Sequence, residues 1–406
     1  MPGTAATTAA TTASRDPVRL TLDPVGLDEF LADAFERGPL TIPRSEPGRF
    51  DLILTPADVE RLVCAGGIRV PAFRLVADGA PLPPREYTED ITWRPGSFDG
   101  LARVDRVAAA HAAGATIVLQ ALQLHWQPAA VYCRGLEQRL GFPVQANAYA
   151  TPAAARGFAV HHDTHDVFVL QVSGSKRWRI YAPVLELPTS SQRWSPALGD
   201  HGEPVEEITL EPGDTLYLPR GWPHEAVAQE GASLHITVGI HVPTRLDALR
   251  AALDACGDDV EFRRSVGPDG EMPRELLDRL ADRLSPEAVA GRARRRFVDS
   301  RRPVLDDGVT QMRAAASLTA ADLVERRDSV IADPNGTTLR FEGKEVRFPE
   351  AARDALVAVT TAERPFTAAD LPGTLDENGR LVLVRRLIRE GFLRAIDGCG
   401  PRSDLG

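Results

Sequence analysis

Two residues near the middle of this 406-residue chain have the types and the spacing that a metal site needs. His161 and Asp163 lie two positions apart in the run GFAVHHDTHDVFVLQV, which has the apolar texture of a β-strand. Alternate side chains of a strand point to one face, so this imidazole and this carboxylate would project together, while His162 would face outward and be inert. A third ligand must come from elsewhere in the chain.

The candidate for the third ligand is His224, in the segment EPGDTLYLPRGWPHEAVA. A turn at Pro212 and Gly213, a strand and a second turn at RGWP would return the chain beside the first strand and present His224 across a barrel lumen. Two histidines and one carboxylate on one face form the facial triad of non-haem iron(II) oxygenases. Pairs of the H-x-D type also arise by chance, so these residues alone leave open a solvated strand face and a surface loop histidine.

A barrel that could hold such a site is predicted between Ala115 and Val242. Short apolar runs alternate there with turn signals: TIVLQALQL, QANAYAT, DVFVLQV, RWRIYAP, EEITL, DTLYLP and SLHITVGIHV. This spacing is typical of an antiparallel barrel or sandwich. Three helices are predicted upstream: one at 27–34, one that starts after an N-cap at Thr55, and one over 98–113. A strand is predicted at 39–43.

Beyond Pro243 the apolar residues recur three and four positions apart, which predicts helices in TRLDALRAALDAC, PRELLDRLADRL and PEAVAGRARRRFVDS. Residues 306–323 are predicted to form a connector with one more helix. A strand pair (TLRFEG and EVRFP), three helix candidates (EAARDALVAVTT, TAADLPG and RLVLVRRLIREG) and a final strand (FLRAI) then follow in the order of a winged-helix domain.

The bulk composition excludes several classes of protein. A net charge of −10 gives no general affinity for polyanions. Four cysteines without a CxxC pair (Cys64, Cys133, Cys256 and Cys399) argue against a zinc ribbon and against a dense disulfide framework. No signal peptide and no apolar run of about 18 residues is visible, so we expect no membrane span and a cytoplasmic location.

Five ordered blocks resemble the JmjC (cupin-like) oxygenases and, among them, the ribosomal-oxygenase branch of protein hydroxylases. These blocks are QALQLHWQP (120–128), NAYATP (147–152), the segment with HHD (157–181), PGDTLYLPRGWPH (212–224) and SLHITV (233–238). The resemblance covers nearly the whole chain beyond about residue 17.

The resemblance implies an α+β fold with a double-stranded β-helix (jelly-roll) barrel, N-terminal helices, a helical dimerisation region and a C-terminal winged helix. The expected boundaries are a disordered tail at 1–16, a JmjC catalytic domain at 17–243, the dimerisation region at 244–325, the winged helix at 326–397 and a tail at 398–406. A homodimer is expected on this ground alone.

The same resemblance implies roles for individual residues. His161, Asp163 and His224 match the family's iron ligands. Lys176 matches the basic residue that pairs with the far carboxylate of 2-oxoglutarate, and a buried dicarboxylate does need a fixed cation beside it. From the residues alone, Lys176 could also be an exposed lysine in the turn SGSK.

Further polar residues are candidates for the walls of the site. Asn147 and Tyr149 share strand parity and match residues that line the cosubstrate site, although Tyr149 could equally be a core residue. Ser233, His235 and Thr237 alternate with apolar neighbours, and their polar face either closes the pocket or is solvated. The resemblance favours the pocket, with Thr237 near the cosubstrate and Ser233 and His235 toward the substrate.

Three other ring-bearing residues are assigned no catalytic role. His165 shares parity with His161 and Asp163, but the resemblance implies a pocket rim or a substrate contact there and not a metal ligand. Trp178 and Trp222 are expected to be packing residues.

The implied activity is that of a 2-oxoglutarate-dependent dioxygenase with iron(II), 2-oxoglutarate and dioxygen as cofactors. It would hydroxylate a side chain of a protein or peptide, with arginine or histidine residues of ribosomal proteins as first candidates. The acidic chain suits a basic substrate tail. An N-methyl-lysine demethylase and a peptide natural-product hydroxylase stay open, because demethylation begins with the same hydroxylation.

Two functions without catalysis are less favoured. An inactive binding module would not need the intact triad and Lys176. A DNA-binding regulator could use Arg385, Arg386 and Arg389, but many acidic residues between Glu342 and Glu390 offset them. We therefore do not expect nucleic-acid binding.

Overall fold

A computed structural model describes residues 16–153, 155, 159–268, 270 and 272–396. The predicted tails, apart from Asp16, lie outside these residues, as does Cys399; the other three cysteines are free thiols. The chain divides into two compact units at the Val242–Pro243 junction.

The first unit consists of a β-barrel with helices before and between its strands. Its helices are α1 (Pro17–Leu22), α2 (Leu27–Asp33), α3 (Pro56–Cys64), α4 (Val104–Ala112) and α5 (Gln127–Leu140). Its strands are β1 (Leu40–Ile42), β2 (Phe73–Ala77), β3 (Ala80–Pro81), β4 (Thr88–Trp93), β5 (Gly96–Ala102), β6 (Thr116–Leu119), β7 (Val144–Thr151), β8 (Asp166–Ser173), β9 (Lys176–Tyr181), β10 (Pro204–Leu210), β11 (Thr215–Leu218), β12 (His224–Ala228) and β13 (Ser233–Ile240).

The strands of this unit form two main sheets. The large sheet has the order β1-β11-β8-β13-β7-β6-β2-β3, the small sheet has the order β10-β9-β12, and β4 and β5 form a separate hairpin. From β8 to β13 the chain passes repeatedly from one sheet to the other, with antiparallel neighbours throughout, which is the double-stranded β-helix arrangement. The predicted α+β fold with a cupin-like barrel and N-terminal helices is confirmed.

One predicted helix boundary is also confirmed at atomic detail. The Thr55 hydroxyl accepts a hydrogen bond from the Asp58 N–H, and the Asp58 carboxylate accepts one from the Thr55 N–H. This reciprocal capping box, followed by Pro56 at the first helical position, starts α3 where the sequence predicts it.

Two predictions in the first unit are incomplete or wrong. The predicted helix over 98–113 begins only at Val104, because Phe98 pairs with Ile91 across the β4–β5 hairpin. The three-residue spacing of Phe98, Leu101 and Val104 resembles a helix but spans a strand and a helix start. Helix α5 was not predicted from the sequence; its buried face is Ala129, Tyr132, Cys133 and Leu136.

The second unit contains helices and strands. Its helices are α6 (Arg245–Asp254), α7 (Arg274–Arg283), α8 (Pro286–Asp299), α9 (Gly308–Ser317), α10 (Arg353–Thr361) and α11 (Glu377–Arg389). Its strands are β14 (Leu323–Arg326), β15 (Ala332–Asn335), β16 (Thr338–Phe341), β17 (Lys344–Arg347), β18 (Phe366–Thr367) and β19 (Leu393–Ala395). They form two three-stranded sheets, in the orders β18-β14-β19 and β15-β16-β17. The helix predicted in TAADLPG is wrong: only a single 3-10 turn forms at Ala368–Asp370, because Pro372 and Gly373 follow at once.

A buried ion pair joins the two chain segments that carry the candidate ligands. Asp166, three residues after Asp163, is fully buried, and it lies 2.9 Å from an Nη1 atom of Arg220, four residues before His224. The backbone N–H of Arg220 donates a second hydrogen bond to Asp166, at 3.1 Å. Glu36 contacts the same guanidinium at 2.6 Å. These contacts fix the start of β8 against the chain that leads into β12.

We predict that Arg220→Met lowers the free energy of unfolding of the first unit by about 3–5 kcal/mol, because Asp166 loses its buried counter-charge. Tryptophan fluorescence in a denaturant titration reports this unit alone, since all five tryptophans belong to it: Trp93, Trp126, Trp178, Trp194 and Trp222. Arg61→Met, which removes the exposed Arg61–Asp58 pair, is the matched control. Equal midpoints for both variants would contradict the structural role of the buried pair.

Candidate metal centre in the barrel

The three predicted ligands converge at one end of the barrel. Ligand atoms of His161, Asp163 and His224 all lie within 4.8 Å of one another. Nε2 of His224 is 3.9 Å from a carboxylate oxygen of Asp163, and the centroids of the two imidazole rings are 4.7 Å apart. Three donor atoms at these separations can bind one small cation.

Backbone hydrogen bonds between the ligand residues themselves produce this convergence. The N–H of His161 donates to the carbonyl of His224 at 3.2 Å, and the N–H of His224 donates to the carbonyl of His161 at 2.9 Å. The N–H of Gly221 donates to the carbonyl of Asp163 at 3.0 Å. The expectation that His161 and Asp163 share a regular strand is therefore wrong: His161 forms an isolated bridge, and β8 begins only at Asp166.

Both imidazoles are held in the tautomer that a metal requires. Nδ1 of His161 lies 2.8 Å from the carbonyl oxygen of Ala159, and Nδ1 of His224 lies 3.0 Å from that of Trp222. A carbonyl oxygen only accepts, so each neutral ring carries its proton on Nδ1 and keeps the Nε2 lone pair free. Such contacts also fix the ring orientations.

The charge states of the triad favour a cation. Burial raises the pKa of Asp163. The surrounding histidines, above all His165 and His224, lower that pKa by a larger amount, so the net shift is downward. Burial and the neighbouring His161 lower the pKa of His224 to about 4. At neutral pH a carboxylate and a neutral imidazole result, which are the forms that bind metals. The residues present therefore fit a divalent transition metal.

His162 is not outward-facing in the sense predicted. It is buried, its Nε2 lies 3.2 Å from the carbonyl oxygen of Gln192, and its ring packs edge-on against Trp194 at 5.3 Å. His162 is not among the residues that line the cavity, and the segment after β9 covers it. Loop coverage of this kind leaves no periodic signal in the sequence.

A cavity of about 270 Å³ extends from the triad to Lys176. Lys176, the first residue of β9, is only 3% exposed, so it is not an exposed turn lysine. Its Nζ donates to the Thr151 hydroxyl at 3.2 Å, and no carboxylate among the described residues lies within ion-pair distance. Burial lowers the pKa of Lys176 to about 7. An unpaired buried amine of this kind fits the end of an anionic ligand.

The remaining predicted cosubstrate residues also line this cavity. The hydroxyl of Tyr149 hydrogen-bonds to the side chains of Asn147 and Thr237, and the ring of Tyr149 stacks on His235 with centroids 4.8 Å apart. His235 lies near Lys176, whose charge adds to the effect of burial in lowering the pKa of His235. This places His235 at the lysine end of the cavity and not at a substrate entrance.

Ser233 and His165, two candidates for substrate contact, are placed differently. Ser233 accepts a hydrogen bond from Gln171 at 2.9 Å and lines a separate apolar cavity under α3 and α4. His165 lines the main cavity and stacks on His241, with centroids 4.8 Å apart. A Cβ atom at Gly239 would lie 2.5 Å from the ring of His165, so only glycine leaves room for this stack.

Part of the cavity wall was not predicted from the sequence. Arg74 and Thr116 reach it from β2 and β6, and Glu225, held by the Tyr181 hydroxyl at 3.0 Å, reaches it from β12. Trp178 was expected to be a packing residue; it does belong to an apolar cluster, but it also lines the cavity. The pairing of β2 with β6, which brings Arg74 to the site, has no local sequence signal.

A double-stranded β-helix that presents two imidazoles and a carboxylate at one end of its lumen defines the cupin-like class of metal-binding barrels. Residues 121–248 match the JmjC domain family. This part of the chain is therefore similar to the JmjC domain, and the chain has relatives named ribosomal oxygenase 1 and NO66.

Among those relatives, human ribosomal oxygenase 1 is 36% identical over 212 residues, which cover 45% of this chain and 32% of that protein. The bifunctional lysine-specific demethylase and histidyl-hydroxylase NO66 of Drosophila persimilis is 31% identical over 227 residues, or 54% of this chain and 30% of that protein. The chain thus spans about a third of the length of these curated relatives.

The fold is also similar to that of a solved structure. The Escherichia coli ribosomal oxygenase YcfD, in complex with cobalt and 2-oxoglutarate, superposes with a TM-score of 0.57 at 19% identity over 92% of this chain and 99% of that one. In the described ranges, none of the helices has the length and apolar character needed to span a bilayer.

We predict that Asp163→Ala weakens cobalt(II) binding by more than roughly 100-fold, because one of three metal ligands is gone. Loss of a residue that only hydrogen-bonds to a ligand already costs roughly 10- to 100-fold in metal affinity. Anaerobic titration followed by the visible absorption of cobalt(II) measures this. His111→Ala, which removes a histidine outside the cavity, should bind like wild type. Equal affinity in the Asp163 variant would show that the cation binds elsewhere.

Proposed function

We propose that this protein is an iron(II)- and 2-oxoglutarate-dependent oxygenase that hydroxylates a side chain of a protein or peptide. One observation carries the proposal: a cavity with a metal-binding triad at one end has at the other a buried lysine that pairs with no carboxylate among the described residues. A dicarboxylate that also binds a metal would satisfy both ends. The relatives named ribosomal oxygenases, and the cobalt and 2-oxoglutarate in the YcfD structure, support the same assignment.

In this proposal His161, Asp163 and His224 hold the iron through two Nε2 atoms and a carboxylate oxygen. Lys176 neutralises the far carboxylate of 2-oxoglutarate, and Tyr149, with its partners Asn147 and Thr237, lines the same pocket. When bound, iron(II) and 2-oxoglutarate activate dioxygen and supply the oxidant that inserts an oxygen atom into a C–H bond. The protein fixes the ligands and keeps bulk water out of the barrel.

The proposed substrate is a ribosomal protein, with an arginine or histidine side chain as the target. The names of the relatives support this class, and the net charge of −10 suits a basic partner. N-methyl-lysine demethylation is the second candidate, because relatives named NO66 carry both activities in their names. A peptide natural-product hydroxylase is the third candidate. The cytoplasmic location stays a prediction.

The second unit is proposed to contain the dimerisation region and the winged helix. Leu246, Leu249 and Leu253 recur at helical spacing on α6 and are 42%, 42% and 48% exposed, which supports a subunit contact. Helices α10 and α11 with the hairpin β16–β17 support the winged helix. Light scattering on the wild type and on Leu249→Glu tests this contact. If both had the mass of a monomer, the support for a dimer through α6 would be removed.

We predict that His161→Ala and Lys176→Ala each lower succinate formation more than about 100-fold. The first variant removes a ligand of the iron, and the second removes the cation that pairs with 2-oxoglutarate. The assay contains iron(II), ascorbate, 2-oxoglutarate and ribosomal-protein peptides, and mass spectrometry detects the gain of one oxygen atom. Lys344→Ala is the matched control, because Lys176 and Lys344 are the two lysines of the chain. Wild-type rates in the first two variants would refute the site.

We also predict that 2-oxoglutarate binds with uptake of a proton by Lys176. The pKa of the buried amine is about 7 without ligand, and an ion pair with a carboxylate raises it. Affinity should therefore be constant below pH 7 and fall about tenfold per unit above it. Calorimetry on the cobalt(II) protein in buffers of different ionisation enthalpy measures the uptake. No net proton exchange at pH 8 would contradict this.

A further inference from the structure

The register of strand β2 shows which of its ends lies nearer the metal triad. Near the C-terminal end of β2, Val76 is opposite Thr116 of β6. The Thr116 hydroxyl donates to the Thr151 hydroxyl at 3.3 Å, and Thr151 accepts the hydrogen bond from Lys176. The C-terminal end of β2 therefore lies at the lysine end of the cavity. The chain that precedes β2 lies toward the opposite end, where the triad is.

The hairpin β4–β5 is attached to this preceding chain. The N–H of Val70 donates to the carbonyl of Gly100 at 3.0 Å, and the N–H of Ala102, the last residue of β5, donates to the carbonyl of Ile68 at 2.9 Å. Among the described strands, β4 and β5 pair only with each other. The hairpin therefore projects from the barrel at its triad end and is not part of the barrel wall.

The cavity also opens at the triad end. The side chain of Asp163 is 33% exposed, whereas Lys176 at the other end is only 3% exposed. A side chain that reacts at the metal therefore enters past the triad. The rest of a protein substrate stays outside the barrel, on the side from which the hairpin projects.

One face of the hairpin is apolar and uncovered. Ile91 on β4 is opposite Phe98 on β5, and Trp93 lies two positions after Ile91, so the three side chains share one face. They are 37%, 50% and 69% exposed in the order Ile91, Phe98, Trp93. Neighbouring exposed apolar side chains mark interaction surfaces, and aromatic residues are enriched at protein interfaces.

The charges of the hairpin indicate the chemistry of the partner. Residues 86–101 contain four carboxylates and one arginine, which gives a net charge of −3. All five charged side chains are exposed: Glu86, Glu89, Asp90, Arg94 and Asp99. This surface attracts a basic partner, and exposed aromatic rings also bind guanidinium and ammonium groups. A second copy of this chain, with its net charge of −10, is a poorer match.

We propose that the face formed by Ile91, Trp93 and Phe98 is a docking surface for a basic protein substrate whose target side chain occupies the cavity. The inference rests on the proposed function and specifies its substrate. The substrate is a protein that extends beyond the cavity and is bound at two places. The triad end of the cavity binds the reacting side chain, and the hairpin binds a more distant part of the same protein.

The test replaces both Trp93 and Phe98 by threonine, which suits a strand and removes most of the apolar face. Steady-state kinetics compare a ribosomal protein that the wild type hydroxylates with a five-residue peptide around its target, which extends about 7 Å on either side. KM for the protein should rise about 10- to 100-fold, the loss expected when aromatic anchors leave an interface. KM for the peptide and both kcat values should stay unchanged.

The matched control alters the other face of the same hairpin. Thr92 and Ser97 are opposite each other there, so the double variant Thr92→Ala with Ser97→Ala keeps the apolar face intact. It should have the KM of the wild type for both substrates. Cobalt(II) affinity equal to that of the wild type in both double variants checks that the barrel and its triad are unaltered.

Three outcomes would contradict the docking surface. KM for the protein could stay unchanged in the Trp93 and Phe98 variant, or KM for the peptide could rise equally. Light scattering could also show a lower mass for this variant than for the wild type, which would make the face a subunit contact. In each case hydroxylation by the wild type would leave the proposed function standing. If the wild type added oxygen to no protein or peptide, the proposed function would fail and this inference with it.

Discussion

The pair of backbone hydrogen bonds between His161 and His224 is the constraint on which the site depends. These residues come from segments 63 positions apart, and they exchange N–H···O=C bonds at 2.9 and 3.2 Å. The buried Asp166–Arg220 ion pair, five residues after His161 and four residues before His224, fixes the same two pieces of chain. The imidazoles are thus brought together before any cation binds, which lowers the cost of organising the ligands.

From that fixed end the cavity extends through the barrel to Lys176. This buried amine donates to a hydroxyl, and no carboxylate among the described residues pairs with it. A buried cation without a counter-charge reduces the stability of the free protein. Such a group is expected of a binding site and not of a core.

Much of this could be predicted from the sequence, because the chemistry depends on short motifs. The spacing of His161 and Asp163, the return of the chain to His224 and the turn before Lys176 are all local, and the JmjC resemblance placed them together. What could not be predicted depends on contacts between distant segments. Arg74 reaches the cavity only through strand pairing.

The irregular backbone at the triad is the other feature that periodicity could not reveal. A strand through His161 and Asp163 was expected, but a bridge and a bend are present, and β8 begins at Asp166. The bend lets Asp163 turn its carboxylate toward His224 while His162 is covered by the loop that follows β9.

Anomalous diffraction from crystals soaked with cobalt(II) and 2-oxoglutarate tests the central claim most directly. We predict a single strong cobalt peak in the barrel, bonded to Nε2 of His161, Nε2 of His224 and a carboxylate oxygen of Asp163, with ligand density that continues to Lys176. A cobalt peak on other residues, or an empty cavity between the triad and Lys176, would contradict it.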